Sequence, residues 1–251
     1  MNLVKAFIDW NRSVCKWFDQ IFLPSYFIKD GNSDFIRNIA PTYLHEGMKV
    51  YDVGGGKQPF VNVDKKQASR LHVVGIDICH DELVRAPVGS YDEMVCADIA
   101  RVKGRVDGDL VICQAVLEHV RDTENAIKSI SSLLKQGGKA LIFVPSRNAV
   151  FARLNIILPE CVKRYLLYTI FPSARGAQGF PSYYHKCTPN ELSDLANQNG
   201  MKVKYAYYYY MSTYFSFLFP IYILWRVWVV IFKIFFGVQA SETFTLVLEK
   251  K

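Results

Sequence analysis

The sequence of 251 residues lacks several features that identify common protein architectures. It has no internal repeat of the kind that builds solenoids and propellers. It also has no low-complexity segment that would separate two domains. Its six cysteines include no Cys-x-x-Cys pair, which argues against the usual zinc and redox motifs. We therefore expect one large domain in a reducing compartment, with the cysteines as small apolar core residues.

The N-terminus lacks the uninterrupted apolar core of a signal peptide, because Lys5, Asp9, Arg12 and Lys16 interrupt it. We expect a cytoplasmic protein. Arginines interleaved with aromatic residues, the pattern that favours a nucleic-acid partner, are also missing, so we expect no nucleic-acid partner. The formal net charge of +7 still favours an anionic partner such as a phospholipid surface or a phosphorylated acceptor.

Residues 1–47 precede the strand pattern and are predicted to form amphipathic and cap helices. The segment that ends at Pro24 has apolar residues spaced alternately by four and three, with charged residues on the opposite side. Such a helix either packs on its own domain or lies in a membrane interface, which its two tryptophans would suit. The apolar positions are Leu3, Phe7, Trp10, Val14, Trp17 and Ile21.

From residue 48 to residue 251 the pattern predicts a doubly wound α/β domain. The apolar segments "KVYDVGGG", "LHVVGIDI", "DLVICQAV" and "KALIFVP" alternate with helical segments such as "TENAIKSISSLLKQGG". This alternation is typical of a parallel sheet covered on both faces. An aromatic and arginine-rich insertion follows at 146–187, then a helix that begins at the capping pattern of Thr188, Pro189 and Glu191. The segments "MKVKYAYYYY" and "ETFTLVLEK" are predicted as the last two strands.

The stretch "YDVGGGKQPF" places Asp52 just before Gly54, Gly55 and Gly56 at the end of a predicted strand. Glycines there allow the backbone to turn sharply and approach a ligand closely. A dinucleotide site would require a third glycine where this chain has Pro59. The turn therefore disfavours a nicotinamide-dependent oxidoreductase.

Asp77 ends the next predicted strand, and Asp98 lies in the later segment "CADIA". Asp77 can accept hydrogen bonds from both hydroxyls of a ribose, and Asp98 can accept one from the exocyclic amine of adenine. Ile78 and Ile99 would supply apolar walls on either side of such a ring. A fourth element, "DLVICQAVLEHV", is a strand that opens into a turn.

These motifs, in this order, resemble the class I S-adenosylmethionine-dependent methyltransferases. The likeness is closest to the group whose fourth motif reads "LEHV", as in ubiquinone-pathway and polysaccharide-cluster enzymes, and it covers residues 49–145 motif by motif. It implies a Rossmann-like sheet of seven strands whose last strand is antiparallel to its neighbours. It also implies a transferase that uses S-adenosyl-L-methionine as its cofactor.

The resemblance assigns cofactor-binding roles to individual residues. It implies that the methionine moiety is held by Asp52 and the glycines 54–56, the ribose by Asp77, and the adenine by Asp98 with Ile99, while Gln114 lines the pocket near the sulfonium. Ubiquinone-type enzymes also carry a glutamate three residues before the one in "LEH", as part of a metal site. This chain has Ala115 at that position, so we expect no metal.

Two histidines are candidates for a base that takes the proton of a hydroxyl acceptor, His119 and His185. His119 either acts as this base or orients the turn on which it lies. His185 either acts as the base or binds the acceptor. Arg175 suits a phosphate or sugar-acid group, or is a solvated loop residue.

The segment 211–238 contains the apolar stretch "FSFLFPIYILWRVWVVIFKIFF". Because it lies between two neighbouring strands, the chain must leave and return on the same side of a membrane. The segment is too short for the two crossings that this would need. We predict a monotopic membrane-interface helix whose basic residues, Arg226 and Lys233, face the lipid headgroups. The alternative is a helix buried in a dimer interface or under the 146–187 insertion, with Arg226 and Lys233 paired.

The sequence thus predicts a methyltransferase attached peripherally to the inner face of a membrane. We expect a lipid-borne acceptor, first a lipid-linked glycan, then a prenylated quinone or a phospholipid. The alternative is a non-catalytic, membrane-associated scaffold protein that binds S-adenosylmethionine.

Overall fold

The computed structural model of the chain describes residues 3–159, 161–163, 165 and 180–251. These residues contain one seven-stranded sheet in the order β3-β2-β1-β4-β5-β7-β6. Strands β1 to β5 pair in parallel, and β7 lies antiparallel between β5 and β6. This confirms the predicted seven-stranded methyltransferase-type sheet. The strands are β1 Lys49–Val53, β2 His72–Asp77, β3 Glu93–Cys96, β4 Gly108–Gln114, β5 Leu134–Pro145, β6 Met201–Tyr209 and β7 Thr243–Lys250.

Helices cover both faces of this sheet and extend beyond one end of it. They are α1 Leu3–Phe22, α2 Ser25–Ile28, α3 Gly31–Asp34, α4 Val63–Ala68, α5 His80–Val84, α6 Thr123–Leu133, α7 Val150–Ile157, α8 Pro189–Gln198 and α9 Phe219–Phe236. Short 3-10 helices at Ile99–Arg101 and Leu117–His119 follow β3 and β4. The predicted helix through residue 138 is wrong at its end, because β5 begins at Leu134 and pairs irregularly with β4 before Lys139.

The core lies on both sides of the sheet, as a run of apolar residues in a central strand requires. In β4, Val111 and Cys113 pack in the cluster with α6 and α8. Leu110 and Ile112 pack on the other face, in the cluster that contains Phe35. All four β4 side chains are buried.

A third apolar cluster joins α1 to α9, and an ion pair is buried within it. Asp19 of α1 and Arg226 of α9 are in contact, with Arg226 Nε donating to Asp19 Oδ1 at 3.1 Å. Tyr222 donates to Asp19 Oδ2 at 2.6 Å, and Arg226 Nη1 donates to the Tyr210 carbonyl oxygen at 2.8 Å. The charges are therefore satisfied by several partners, which a buried pair needs in order to offset its desolvation.

Helix α1 turns its predicted apolar face outward. Its contacts with the rest of the chain come from the polar side, where Asn11, Cys15 and Asp19 are buried. Asn11 Oδ1 accepts the first N–H of α9, from Phe219, at 2.9 Å. The apolar residues that were candidates for packing on the domain are exposed instead: Leu3, Phe7, Trp10, Trp17 and Ile21. The helix therefore packs on its own domain, as one of the two interpretations held, but it does so through its polar side.

Helix α9 has the reverse of the predicted orientation. Arg226 is buried, and Lys233 Nζ lies 3.9 Å from the centroid of the Tyr26 ring, so the basic side faces the protein. The expectation that these two cations face lipid headgroups is wrong, because Asp19 and the aromatic rings attract them inward. The residues exposed on α9 carry no charge: Ile221, Leu224, Val227, Trp228, Ile231, Ile234, Phe235 and Phe236.

Within the described residues, the segment Phe219–Ala240 is long and apolar enough to cross a membrane, with a mean hydropathy of 2.0. Its two ends are tied to neighbouring strands, since Tyr209 of β6 pairs with Thr243 of β7. Both ends therefore lie on one side of any membrane. A single crossing by α9 is incompatible with this pairing.

The Asp19–Arg226 pair generates a test of how α1 docks. Replacing Arg226 by Met leaves a buried carboxylate without its cation, and we expect a loss of about 3–5 kcal/mol in the free energy of unfolding. The double variant Asp19→Leu, Arg226→Met removes both charges and should recover most of this loss. Urea titration followed by tryptophan fluorescence measures both. A single variant as stable as the wild type would show that α1 does not dock through Asp19.

Candidate active site

A cleft of about 580 Å³ opens at the carboxyl ends of β1, β2 and β4. Ligands of open α/β sheets bind at this edge, and the volume is within the range of small-molecule sites. Six of the eleven predicted site residues line it: Gly54, Asp77, Ile78, Asp98, Ile99 and His119. The other five lie behind the wall or beside it.

The glycine turn after β1 admits no larger residue. Gly54 has a φ of +74°, and a Cβ there would lie 2.3 Å from Val116 Cγ2. A Cβ on Gly55 would lie 2.4 Å from Asp52 Oδ2, and Gly56 has a φ of +48°. The turn therefore needs glycine for both backbone conformation and space.

Asp52 lies beneath this turn and is not part of the cleft wall. Its Oδ2 accepts the backbone N–H of Phe60 at 2.8 Å, and the Tyr91 hydroxyl lies 3.4 Å away. Burial raises the pKa of Asp52 to about 6, although both hydrogen bonds favour the carboxylate. The structure thus gives Asp52 a contact that holds the loop. Direct binding of the methionine moiety by Asp52 stays a prediction.

Asp77 and Asp98 lie on the wall of the cleft. Asp77 Oδ1 accepts the Cys79 N–H at 2.9 Å, and its Oδ2 points toward Gly56. Burial raises the pKa of Asp77. Asp98 Oδ1 accepts the Ala100 N–H at 2.9 Å and so begins the short helix after β3. Each carboxylate therefore uses one oxygen to hold its own loop.

The predicted residues Ile78, Ile99 and Gln114 differ in how far they are exposed to the cleft. Ile78 is exposed in the cleft, whereas Ile99 is largely buried in the core beneath it. Gln114 is not part of the cleft lining, and its Nε2 donates to Asn32 Oδ1 at 2.6 Å. The N-terminal segment therefore contacts the sheet edge that carries the site, a contact the sequence did not predict.

The "LEHV" turn positions His119 through a loop more than sixty residues away. His119 Nδ1 lies 3.0 Å from the Pro181 carbonyl oxygen and 3.3 Å from Ser182 Oγ. Because a carbonyl oxygen only accepts, Nδ1 carries the hydrogen and Nε2 is left as the proton acceptor. Tyr183 and Tyr184 donate their backbone N–H groups to the Glu118 carbonyl oxygen at 2.7 and 3.0 Å. These bonds hold the 180–184 segment against the turn.

Glu118 is a buried carboxyl behind His119. Its Oε1 lies 3.8 Å from His119 Nε2, and its Oε2 has no hydrogen-bond partner among the described residues. Burial raises the pKa of Glu118 to about 8, so the carboxyl is mostly protonated at neutral pH. The sequence analysis considered Glu118 only as the glutamate of the "LEH" motif. The apolar "AVL" before it was the available sign of burial.

His185 lies outside the cleft wall. Its carbonyl oxygen accepts the Thr123 hydroxyl at 2.6 Å, and its Nδ1 is buried without a partner in the described part of the chain. No group of three or more His, Cys, Asp and Glu residues able to hold a metal occurs among the described residues. Arg175 lies outside the described residues.

The chemistry of this wall fits an adenosine-bearing ligand. The glycine turn permits close approach of a polar chain, and Asp77 at the end of β2 can accept from ribose hydroxyls. Ile78 offers an exposed apolar face, and Asp98 offers a carboxylate oxygen nearby. The wall therefore offers hydrogen-bond acceptors and apolar surface of the kind that the adenosine part of S-adenosylmethionine can use.

Comparison with known proteins supports this assignment. A family model described as a methyltransferase domain matches residues 26–203, well over half of the chain. The chain is 28% identical over 195 residues to the ubiquinone biosynthesis O-methyltransferase of Chromobacterium violaceum, covering 74% of this chain and 78% of that protein.

Two solved structures share the fold. The S-adenosylmethionine-dependent methyltransferase from Mesorhizobium loti superposes with a TM-score of 0.55 at 15% identity, over 88% of this chain and 99% of that one. The [4+2]-cyclase SpnF has a TM-score of 0.55 at 13% identity, over 96% of each chain. At these identities the likeness shows the fold and not the reaction.

The buried Glu118 carboxyl predicts a pH-dependent difference in stability. Between the usual pKa of 4.5 and the raised value of about 8, the unfolded chain loses this proton and the folded chain keeps it. Wild-type stability therefore falls, through this group, as pH rises from 4.5 to 8. Relative to wild type, Glu118→Gln should gain more than about 1 kcal/mol between pH 5 and pH 8.

Urea titrations at both pH values measure this difference, and any pH-independent cost of the amide cancels. Glu46→Gln, at an exposed carboxylate, is the matched control and should show no such change. An equal effect of Glu118→Gln at both pH values would contradict a protonated Glu118 in the folded chain.

Proposed function

This chain belongs to the methyltransferase-domain family, and we propose from that premise that it methylates a hydroxyl group of a lipid-borne acceptor at a membrane surface. It is an S-adenosylmethionine-dependent methyltransferase with the seven-stranded sheet of that class. The observation that carries the lipid-borne acceptor is the uncharged outward face of α9; α1, which packs against α9, also exposes its apolar residues.

When bound, S-adenosylmethionine supplies a methyl group on a positively charged sulfur, whose departure as a neutral thioether needs no acid. We assign its ribose hydroxyls to Asp77 and its adenine to Asp98 between Ile78 and Ile99. The glycines 54–56 and Asp52 would accommodate the methionine end, and Gln114 would close the pocket from β4. These residues hold and orient the cofactor for in-line transfer, which is the main contribution that this chemistry needs.

His119 is the proposed base. The Pro181 carbonyl oxygen holds the hydrogen on Nδ1, so Nε2 accepts the proton that leaves the acceptor hydroxyl as its oxygen gains the methyl group. The neutral Glu118 carboxyl behind the ring adds no negative charge to the cleft. His185 is retained as an acceptor-binding candidate beside α6, since its buried Nδ1 has no partner among the described residues.

The acceptor class is inferred from the relatives and from the surface. The O-methyltransferase relatives act in ubiquinone biosynthesis, which favours a ring hydroxyl of a prenylated quinone precursor. A lipid-linked glycan is the second candidate, supported by the exposed Arg153 beside α9, and a phospholipid is the third. Much of the 146–187 insertion, proposed as the acceptor cap, lies outside the described residues. Arg164 and Arg175 of the insertion also lie outside them, so the support for the glycan comes from Arg153.

The proposed membrane attachment places a cytoplasmic protein on the inner face of a membrane. Apolar surface transferred into the interface contributes about 25 cal/mol per Å². The net charge of +7 adds attraction to anionic lipids. Because both ends of the 211–238 segment lie on one side, this attachment is monotopic.

Two variants should distinguish a loss of cofactor binding from a loss of turnover. Asp77→Ala should lose most of its affinity for S-adenosylhomocysteine in calorimetry, because the ribose loses its acceptor. His119→Gln should retain that affinity while kcat falls by about 10²–10⁴. The assay uses radiolabelled S-adenosylmethionine with a farnesyl-substituted catechol and with a membrane lipid extract. Cofactor binding without transfer to either acceptor would support the non-catalytic scaffold instead.

Membrane binding should depend on the far end of α9. Ile234→Ser with Phe235→Ser removes two exposed apolar side chains and should reduce sedimentation with anionic phospholipid vesicles several-fold. The control pair Val84→Ser and Val88→Ser removes exposed apolar surface elsewhere and should have no effect. Affinity for S-adenosylhomocysteine should be unchanged in both. Undiminished sedimentation of the α9 variant would contradict the membrane interface.

A further inference from the structure

A second cavity lies between α7 and α9, apart from the cofactor cleft. It is an open groove of about 510 Å³ whose lining is apolar except for Asn148 and Arg153. We call it the α7–α9 groove; its apolar walls are Val150, Leu154, Ile157, Phe215, Ile221, Leu224, Trp225, Trp228 and Phe232. Its size is within the range of small-molecule sites.

The floor of this groove is held in place by contacts of its own. Trp225 Nε1 donates to Glu242 Oε1 at 3.2 Å, and the Phe215 ring packs on Trp225 with centroids 5.6 Å apart. Trp228 and Phe232 stack at 5.7 Å. The groove is therefore formed before any ligand enters, which lowers the cost of binding.

An aromatic pair links the groove to the turn that carries His119. Phe151 of α7 stacks on Tyr214 with centroids 4.6 Å apart, and Tyr214 immediately precedes Phe215 of the groove wall. The Glu118 carboxyl is close enough to Tyr214 to help raise the pKa of its hydroxyl, after burial. Glu118 is in turn the neighbour of His119. Tyr214 is thus next to the groove wall in the sequence and near Glu118 in space, which brings the groove close to the turn that carries His119.

The outer wall of the groove is part of the uncharged face of α9. Ile221, Leu224 and Trp228 line the groove and are also exposed on the surface proposed to enter the membrane. A hydrocarbon chain can therefore pass from a bilayer into the groove without crossing a charged surface. The exposed Arg153, with Nη2 3.0 Å from Asn148 Oδ1, lies at the rim, where a polar or anionic part of the same molecule would meet it.

We propose that the α7–α9 groove binds the hydrocarbon chain of the methyl acceptor, an isoprenoid or a similar lipid chain, and so helps to hold the acceptor's reactive end at His119. The inference rests on the proposed function, which makes the acceptor lipid-borne. The proposal names the part of the protein that recognises the lipid chain. It also explains why the groove lies between two apolar helices.

Filling the groove tests this directly. Leu154→Trp places a large apolar side chain in the groove, and Ile156→Trp, similarly exposed on the same helix but outside the groove lining, is the matched control. Calorimetry on the full chain without membranes uses farnesol as the chain probe. We expect Leu154→Trp to bind farnesol at least about tenfold more weakly than wild type, and Ile156→Trp to bind within about twofold.

A kinetic arm distinguishes the acceptor's chain from a free lipid. In Leu154→Trp, the KM for a farnesyl-substituted catechol should rise about tenfold while the KM for catechol itself is unchanged. Absence of farnesol binding to the wild type, or equal binding by Leu154→Trp, would overturn the groove assignment while leaving methyl transfer intact. Farnesol binding with no methyl transfer to either catechol would instead contradict the proposed function and the acceptor role of the groove.

A second copy of the chain is the competing occupant. Analytical ultracentrifugation of the wild type and Leu154→Trp reports it. A dimer that Leu154→Trp converts to a monomer, without any farnesol binding, would assign the groove to self-association and overturn the proposal.

Discussion

The ion pair between Asp19 and Arg226 determines how the two apolar helices are presented. Both residues are buried, and Tyr222 and the Tyr210 carbonyl oxygen complete their hydrogen bonds. Once this polar contact is made, α1 and α9 have no freedom to turn their other faces inward. Their apolar surfaces therefore point away from the domain. A buried charge pair of this kind contributes orientation more than stability, because its desolvation offsets much of its attraction.

Burial also sets the pKa values of two carboxyl groups at the end of the sheet that carries the cleft. Asp52 beneath the glycine turn and Glu118 behind His119 both have raised pKa values, of about 6 and about 8, because they are removed from water. One holds a loop through the Phe60 N–H, and the other stays largely neutral beside the proposed base. At neutral pH the fold thus keeps Glu118 largely uncharged, whereas Asp52 stays mostly ionised, and Asp77 and Asp98 lie on the wall of the cleft.

The cleft and the apolar helices belong to one arrangement because β7 lies between β5 and β6. The pairing of Tyr209 with Thr243 returns the chain from α9 to the sheet, at the edge where Pro145 ends β5 and α7 follows. Helices α7 and α9 are therefore neighbours, and the groove lies between them beside the stacked rings of Phe151 and Tyr214. A soluble cofactor and a lipid-borne acceptor would then approach the reacting centre from different surfaces, which is what an enzyme at a membrane interface needs.

Most of the sheet and the position of the cleft could be predicted from the sequence, because those signals are local. A glycine turn after one strand and an acidic residue after the next, Asp77, meet at one sheet edge in any parallel α/β fold. The strand β3 was not predicted, because four residues are too few for an alternation of buried and exposed positions to be recognised in the sequence. Contacts between residues far apart in the sequence became visible only in the folded chain. They are those of Pro181 with His119, Asn32 with Gln114, and Asp19 with Arg226. Helix α9 is apolar on nearly every side, so its sequence does not specify which face is buried. The ion pair of Arg226 with Asp19 sets the buried face.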